Sequence, residues 1–206
     1  MHTFIKLFLA CLIFSLALFN TANAQSNDPL ARVYITKPSG DMSNCGPIAA
    51  LMLSKYSRQI SLSNNLKANI QRLRKSIQRN PTSNRWWNND DIKKYFSQEG
   101  IKYSSMDIKN KYTIKNQLDK HGIAIINVNM NNLSRGKAIG KPYSTFPFPG
   151  GWGHYLVVVG YKQVGKRLLF EIHDSYIKGG NNRLYDADEI QFALKRYNPE
   201  ILVVRP

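Results

Sequence analysis

The sequence predicts an α+β fold, with helices in the first half of the chain packed on a mostly antiparallel sheet built from the second half. Three observations predict it. Apolar residues recur at helical spacings of three and four as far as about residue 120. After Gly122 the pattern changes to short runs rich in Val and Ile, the composition of strands. Two of these runs, 155–161 and 167–173, lie close enough to pair as a hairpin. A length of 206 residues with 43% hydrophobic content favours one domain with a real core over a disordered chain.

The elements follow in order. Cys45 to Ser57 reads as a buried helix: Asn44 or Ser43 caps it, Pro47 sits in its tolerant first turn, and Ile48, Leu51, Met52 and Leu53 make it apolar on most faces. Ser63 to Arg79 reads as a second helix, with Leu66, Ile70, Leu73 and Ile77 on one face; Arg72, Arg74, Lys75 and Arg79 fall largely off that stripe. A third helix runs from Asn89 or Asp90 to Gln98, with Gly100 just past its end, and a fourth from Tyr112 to Lys120. Ile123 to Met130 is a strand. Residues 131–153 form a long Gly/Pro-rich connection, and connections of that length in compact domains usually carry function. The hairpin follows, then a helix over Asp186 to Tyr197 with an acidic first turn, and a last strand over Ile201 to Val204.

The N-terminus is expected to lie outside this fold. Lys6, the apolar run Leu7 to Phe19 and the small-x-small triplet Ala22-Asn23-Ala24 have the layout of a secretory signal peptide. The run is shorter than the roughly 20 residues a membrane span needs. A lipoprotein signal ending at Cys11 is the competing reading, but Lys6 leaves almost no apolar segment before it. The expectation is a leader over 1–24, a domain over 25–206, export to the periplasm or beyond, and no transmembrane segment in the mature chain. Of 29 Lys+Arg against 13 Asp+Glu, the leader removes only Lys6, so the net charge of +16 belongs almost wholly to the domain. Such a field attracts anionic envelope polymers, lipids or host proteins. No nucleic-acid-binding motif is present, and no Cys/His spacing suits a metal, so no cofactor is expected.

Cleavage of the leader makes Cys45 the sole thiol of the mature chain. A lone thiol in an oxidising compartment is buried, paired between chains, or used chemically. Its place at a helix N-terminus favours use, because the helix dipole and the unpaired N–H groups there stabilise a thiolate and the oxyanion of an acyl intermediate. A nucleophilic thiol needs a base. Of the four histidines, His2 leaves with the signal and His121 sits at a helix end, which leaves His154 and His173. If the hairpin turns near Val164, Leu156 faces Ile172, Val158 faces Phe170 and Gly160 faces Leu168, an apolar face. At its open end His154 meets Asp174, and a slip of two residues leaves them neighbours on one face. His173 points the other way with Tyr155. The parity selects His154 as base and Asp174 as its orienting carboxylate.

Asn44-Cys45-Gly46-Pro47-Ile48-Ala49-Ala50 resembles the Cys-Gly-Pro-Ala-Ala motif of the C39-like peptidases, within the papain-like superfamily. Gly153-His154-Tyr155 and the valines ending in Gly160-Tyr161 resemble their histidine strand, and Ile172-His173-Asp174-Ser175 their following Asp segment, with Ser175 in place of Pro. Asp186 to Phe192 is similar to the start of their later helix. The resemblance spans the mature chain and implies a papain-like fold, a peptide or protein substrate and a Cys-His-Asp set. One position departs from it. The family's oxyanion-binding Gln, about six residues before the nucleophile, is Ser39 here, and the usual Asp before the Cys is Asn44, so Ser39 and Asn44 are the oxyanion candidates. Phe148, Trp152 and Gly153, leading into His154, are candidate walls of the cleft. Three functions are compatible with these residues: amide hydrolysis through an acyl-enzyme, acyl transfer of the transglutaminase or phytochelatin-synthase kind, and a non-catalytic basic binding module on the same scaffold.

Overall fold

The computed structural model describes residues 33–38, 43–57, 62–80, 85–133, 153–176 and 180–206. Among them the elements are α1 (Cys45–Ser57), α2 (Leu66–Ile77), α3 (Asn89–Gln98), β1 (Tyr103–Asp107), α4 (Lys111–Leu118), β2 (Ile123–Asn129), β3 (Gly153–Val164), β4 (Arg167–His173), β5 (Arg183–Asp186), α5 (Ala187–Tyr197) and β6 (Glu200–Val204). The six strands form one sheet in the order β1-β6-β2-β3-β4-β5, and every neighbouring pair is antiparallel. The fold is α+β, as the sequence predicts.

The sheet is covered on both faces. Ile123 and Ile125 of β2, Tyr155, Val157 and Val159 of β3, and Leu202 and Val204 of β6 join one core with α1, α2 and α3. The alternate residues, including Ala124, Ile126, Val128, Leu156, Val158 and Val203, join a second core with α4 and α5. Double coverage explains why the central strands read as unbroken apolar runs instead of alternating ones. It also explains α1. Its inner and outer sides are both covered, so Ile48, Ala50, Leu51 and Leu53 are fully buried, and each large apolar side chain contributes about 1.5–3 kcal/mol.

Local signals set the element ends. At α3, Asn88 accepts from Asp91 N–H at 3.0 Å while the Asp91 carboxylate accepts from Asn88 N–H at 3.0 Å, a reciprocal cap. Gly100 follows in the left-handed region at φ 68°. The Asp186 side chain caps α5 by accepting from Asp188 N–H at 2.9 Å.

Three expectations are corrected. β1 and β5 were not foreseen: β1 (Tyr-Ser-Ser-Met-Asp) is a half-exposed edge strand with little apolar signal, and β5 has four residues. The hairpin turns at Gly165-Lys166, with Val164 opposite Arg167. Its pairing therefore differs: Val158 faces Ile172, but Tyr161 faces Phe170 and Gln163 faces Leu168, with a bulge between Val158 and Gly160. Finally, Arg74 is not on the solvent side of α2. It is buried, 3% exposed.

Candidate active site

The first half of the site is the start of α1. Ile48 N–H bonds the Asn44 carbonyl at 2.9 Å, so the helix begins at Cys45. Pro47 has no N–H, and the first donors of any helix lack partners within it, so the Cys45 and Gly46 N–H groups are not used by the helix itself. The Cys45 thiol is buried, 9% exposed, and forms no disulfide. Gly46 lets two walls close in. A Cβ there would stand 3.0 Å from Trp87 Cβ and 3.2 Å from the Tyr155 ring. The residue after the thiol is thus pressed against the residue after His154.

The second half is the open end of the β3–β4 hairpin. Near the turn the register pairs Gly160 with Glu171; beyond the bulge it pairs Val158 with Ile172 and Val157 with His173. Continued unchanged, the first register would set His154 and Asp174 on opposite faces. The extra residue at Val159 restores the parity, an instance of a bulge re-aiming side chains beside a site. His154 and Asp174 are both 0% exposed, and His154 Nε2 donates to Asp174 Oδ1 at 2.8 Å. A carboxylate only accepts, so Nε2 carries a proton, and Nδ1 is the ring nitrogen that Asp174 does not engage.

Asp174 is itself fixed. Its Oδ1 also accepts from Tyr176 N–H at 2.9 Å, its N–H donates to Gly180 O at 2.8 Å, and its carbonyl accepts from Tyr34 O–H at 3.2 Å. The Tyr34 hydroxyl in turn accepts from Gly180 N–H at 3.2 Å, so one side chain staples both arms of this turn. The Tyr176 ring stands edge-on to His154 at 4.8 Å, with the Lys37 ammonium 4.1 Å over its face. Burial alone would depress the imidazolium. The Asp174 charge and hydrogen bond, reinforced by the hydrogen bond and charge of Cys45, outweigh it and push His154 up to about 9. Asp174 and Cys45 therefore both favour the charged form of the buried imidazole.

The other candidates divide. His173 is buried and structural: its Nδ1 accepts from Asn182 N–H at 3.2 Å, and Tyr34 packs edge-on to it at 5.3 Å. His121 adopts a left-handed φ of 57° at the end of the α4 turn and its carbonyl accepts from Tyr56 O–H. Gly153 adjoins the site; a Cβ there would meet the Tyr197 hydroxyl at 2.5 Å and Asn127 Oδ1 at 2.6 Å. Asn44 lies beside the thiol with its Oδ1 bonded to Arg74 Nε at 2.6 Å. Ser39, Phe148 and Trp152 lie outside the described residues, as do 134–152 of the long connection and residues 1–24, where a leader is expected. No His/Cys/Asp/Glu group among the described residues has the arrangement of a metal site.

Two residues at the site were missed from sequence. Tyr155 is buried, and its hydroxyl donates to Asn89 Oδ1 at 2.9 Å; Asn89 passes the contact to Glu200 at 2.8 Å, which Lys93 holds at 2.6 Å. Burial first, then the neighbouring thiol, raise its phenol. Arg74 is the other. The pattern did contain it: Ile70, Leu73, Arg74 and Ile77 follow the i, i+3, i+4, i+7 rule of a buried face, and only its charge argued otherwise.

Among the described residues, one thiol at a helix N-terminus stands with a histidine and a carboxylate at the end of an antiparallel hairpin. The profile of the Peptidase_C39-like family matches residues 23–200, and the chain belongs to that family. The fold is similar to the crystal structure of a protein assigned as a C39-like peptidase from Bacillus anthracis, with a TM-score of 0.55 and 11% identity over 86% of this chain and 96% of that one. A comparison with curated proteins finds no match.

Proposed function

We propose that the protein hydrolyses an amide bond in a peptide or protein through an acyl-enzyme on Cys45. The Cys45 proton resides on His154 as an imidazolium supported by Asp174, and the thiolate attacks the carbonyl carbon. The tetrahedral oxyanion is held by the N–H groups at the start of α1. Collapse expels the amine, which receives the proton from His154 and leaves a thioester. Water then attacks the thioester, gives its proton to His154, and releases the acid and the free thiol. Asp174 keeps the imidazole oriented and supports its charge throughout. The observation that carries this reading is the buried 2.8 Å Asp174–His154 bond on an imidazole that also feels the Cys45 thiol.

An active ester tests it without knowledge of the natural substrate. p-Nitrophenyl acetate is expected to give a burst of one p-nitrophenolate per chain, with the acetyl group on Cys45 by peptide mass spectrometry and no burst in Cys45→Ala. Acetylation spread over surface lysines with no burst would remove the reading. Glycinamide added to the same reaction separates hydrolysis from acyl transfer by the product formed.

The export reading stands on the Lys6, Leu7–Phe19 and Ala22-Asn23-Ala24 pattern. No helix among the described residues is long and apolar enough to cross a membrane. The intact mass of the protein recovered from its producing cell is expected to begin at Gln25; a full-length mass would contradict processing.

A further inference from the structure

Arg74 is the most constrained charged side chain beside the site. It is 3% exposed, on the inner side of α2, and it reaches the backbone just before the nucleophile. Its Nε donates to Asn44 Oδ1 at 2.6 Å and its Nη2 to Ser43 O at 3.1 Å and Ser43 Oγ at 3.4 Å. Its Nη1 donates to Arg85 O at 3.0 Å and Gln78 Oε1 at 3.3 Å. Gln78 Oε1 also accepts from Trp87 Nε1 at 3.3 Å, and Trp87 is one of the two walls on Gly46. One guanidinium thus ties the entry to α1 to the segment that walls it.

The chemistry of this contact fixes more than position. A guanidinium has donors and no acceptor. An amide facing it must present its oxygen, so the orientation of Asn44 is settled and its NH2 is turned to the other side. A hydrogen bond from a cation also polarises that amide and strengthens its N–H groups as donors. The residue so prepared directly precedes Cys45, where the oxyanion of the proposed reaction develops, and the family's Gln is absent from its usual place, Ser39.

We propose that Arg74 is a positioning residue that sets and polarises the Asn44 amide as an oxyanion donor beside Cys45. The inference rests on the cysteine-hydrolase reading. It adds a residue to the machinery: Asn44 touches the reacting oxygen, and Arg74 acts through it.

Two reactions of the same thiol separate this role from a structural one. Acylation by p-nitrophenyl acetate passes through a tetrahedral oxyanion. Alkylation by iodoacetamide displaces iodide and forms none. The readout is the ratio of the two rate constants at one pH. Asn44→Ala is expected to lower the ratio about 100-fold, the usual cost of one oxyanion donor. Arg74→Lys is expected to lower it about tenfold, and the double variant to do no worse than Asn44→Ala, because coupled residues are not additive. Asn44→Asp guards against misfolding: it keeps an acceptor for Arg74, removes the NH2 donor, and is expected to lower the ratio as Asn44→Ala does. Arg74→Lys slowing both reactions equally, an unchanged ratio in Asn44→Asp, or multiplying effects in the double variant would each overturn the role. A wild-type Cys45 that reacts no faster than free cysteine with either reagent would overturn the hydrolase reading, and this inference with it.

Discussion

Asp174→Asn is expected to slow acylation of Cys45 by about three to four orders of magnitude, the scale seen when a triad carboxylate becomes an amide elsewhere. The substitution changes little else. Asparagine keeps an Oδ1 to accept from Tyr176 N–H, and the backbone bonds to Gly180 and Tyr34 do not involve the side chain. The turn should therefore hold its shape, and circular dichroism should match the wild type. What is lost is the negative charge that opposes burial at His154. Burial is the largest influence on that imidazole and works to lower it; the carboxylate is the main reason it stands raised. With a neutral amide in its place, the imidazolium loses that counter-charge in a site that excludes water. Burst kinetics with p-nitrophenyl acetate measure the effect. A loss under tenfold would mean that Asp174 orients a ring that does not carry the proton.

Removing the imidazole gives the second large effect, on stability. His154→Ala is expected to cost about 3–5 kcal/mol near neutral pH, because it leaves Asp174 as a buried carboxylate stripped of its cationic partner. The dependence on pH carries a definite sign. A histidine in the unfolded chain titrates near 6.5, and His154 in the fold is pushed up to about 9. Its contribution is then fully present below about pH 6.5 and is lost as pH rises through about 9. Wild-type Tm is expected to fall across that window, and the gap between wild type and His154→Ala to narrow. A Tm gap that widens from pH 6.5 to 9 would show that the site holds the histidine neutral.

Much of the site was legible in the sequence because its parts obey local rules. The place of Cys45 needed only a helix start. The His154–Asp174 pairing came from the period of two along strands, and parity survives a slip of two residues. The detail that produces this parity was not legible. The two-residue turn at Gly165-Lys166 sets an odd offset, and only the bulge at Val159 corrects it; no residue type marks that bulge. The His154–Asp174 contact was therefore expected from a register that differs from the observed one. The β1 edge strand escaped notice for a related reason, and β5 because it has only four residues. Edges bury little, so Tyr103–Asp107 carries polar residues where a central strand carries Val and Ile.

Arg74 shows a different limit. Its spacing placed it on the buried face of α2, but a charge at such a position is normally read as solvent-facing. A buried cation becomes stable only when acceptors from distant segments converge on it, here Ser43, Asn44 and Arg85, and that convergence is a property of the fold. The Tyr155–Asn89–Glu200 chain is likewise assembled from three elements far apart in sequence.

The central claim is that His154 activates Cys45. The most direct measurement is the rate of iodoacetamide alkylation at pH 6–7, located on Cys45 by peptide mass spectrometry, in wild type and in His154→Gln. Glutamine keeps a donor for Asp174 and removes the base. A free thiol, with an ordinary value near 8.5, is mostly protonated and slow in this range. The account predicts wild-type labelling at least about tenfold faster than that of free cysteine, and a fall to that of free cysteine or below in His154→Gln. Equal, slow labelling of both proteins would contradict it.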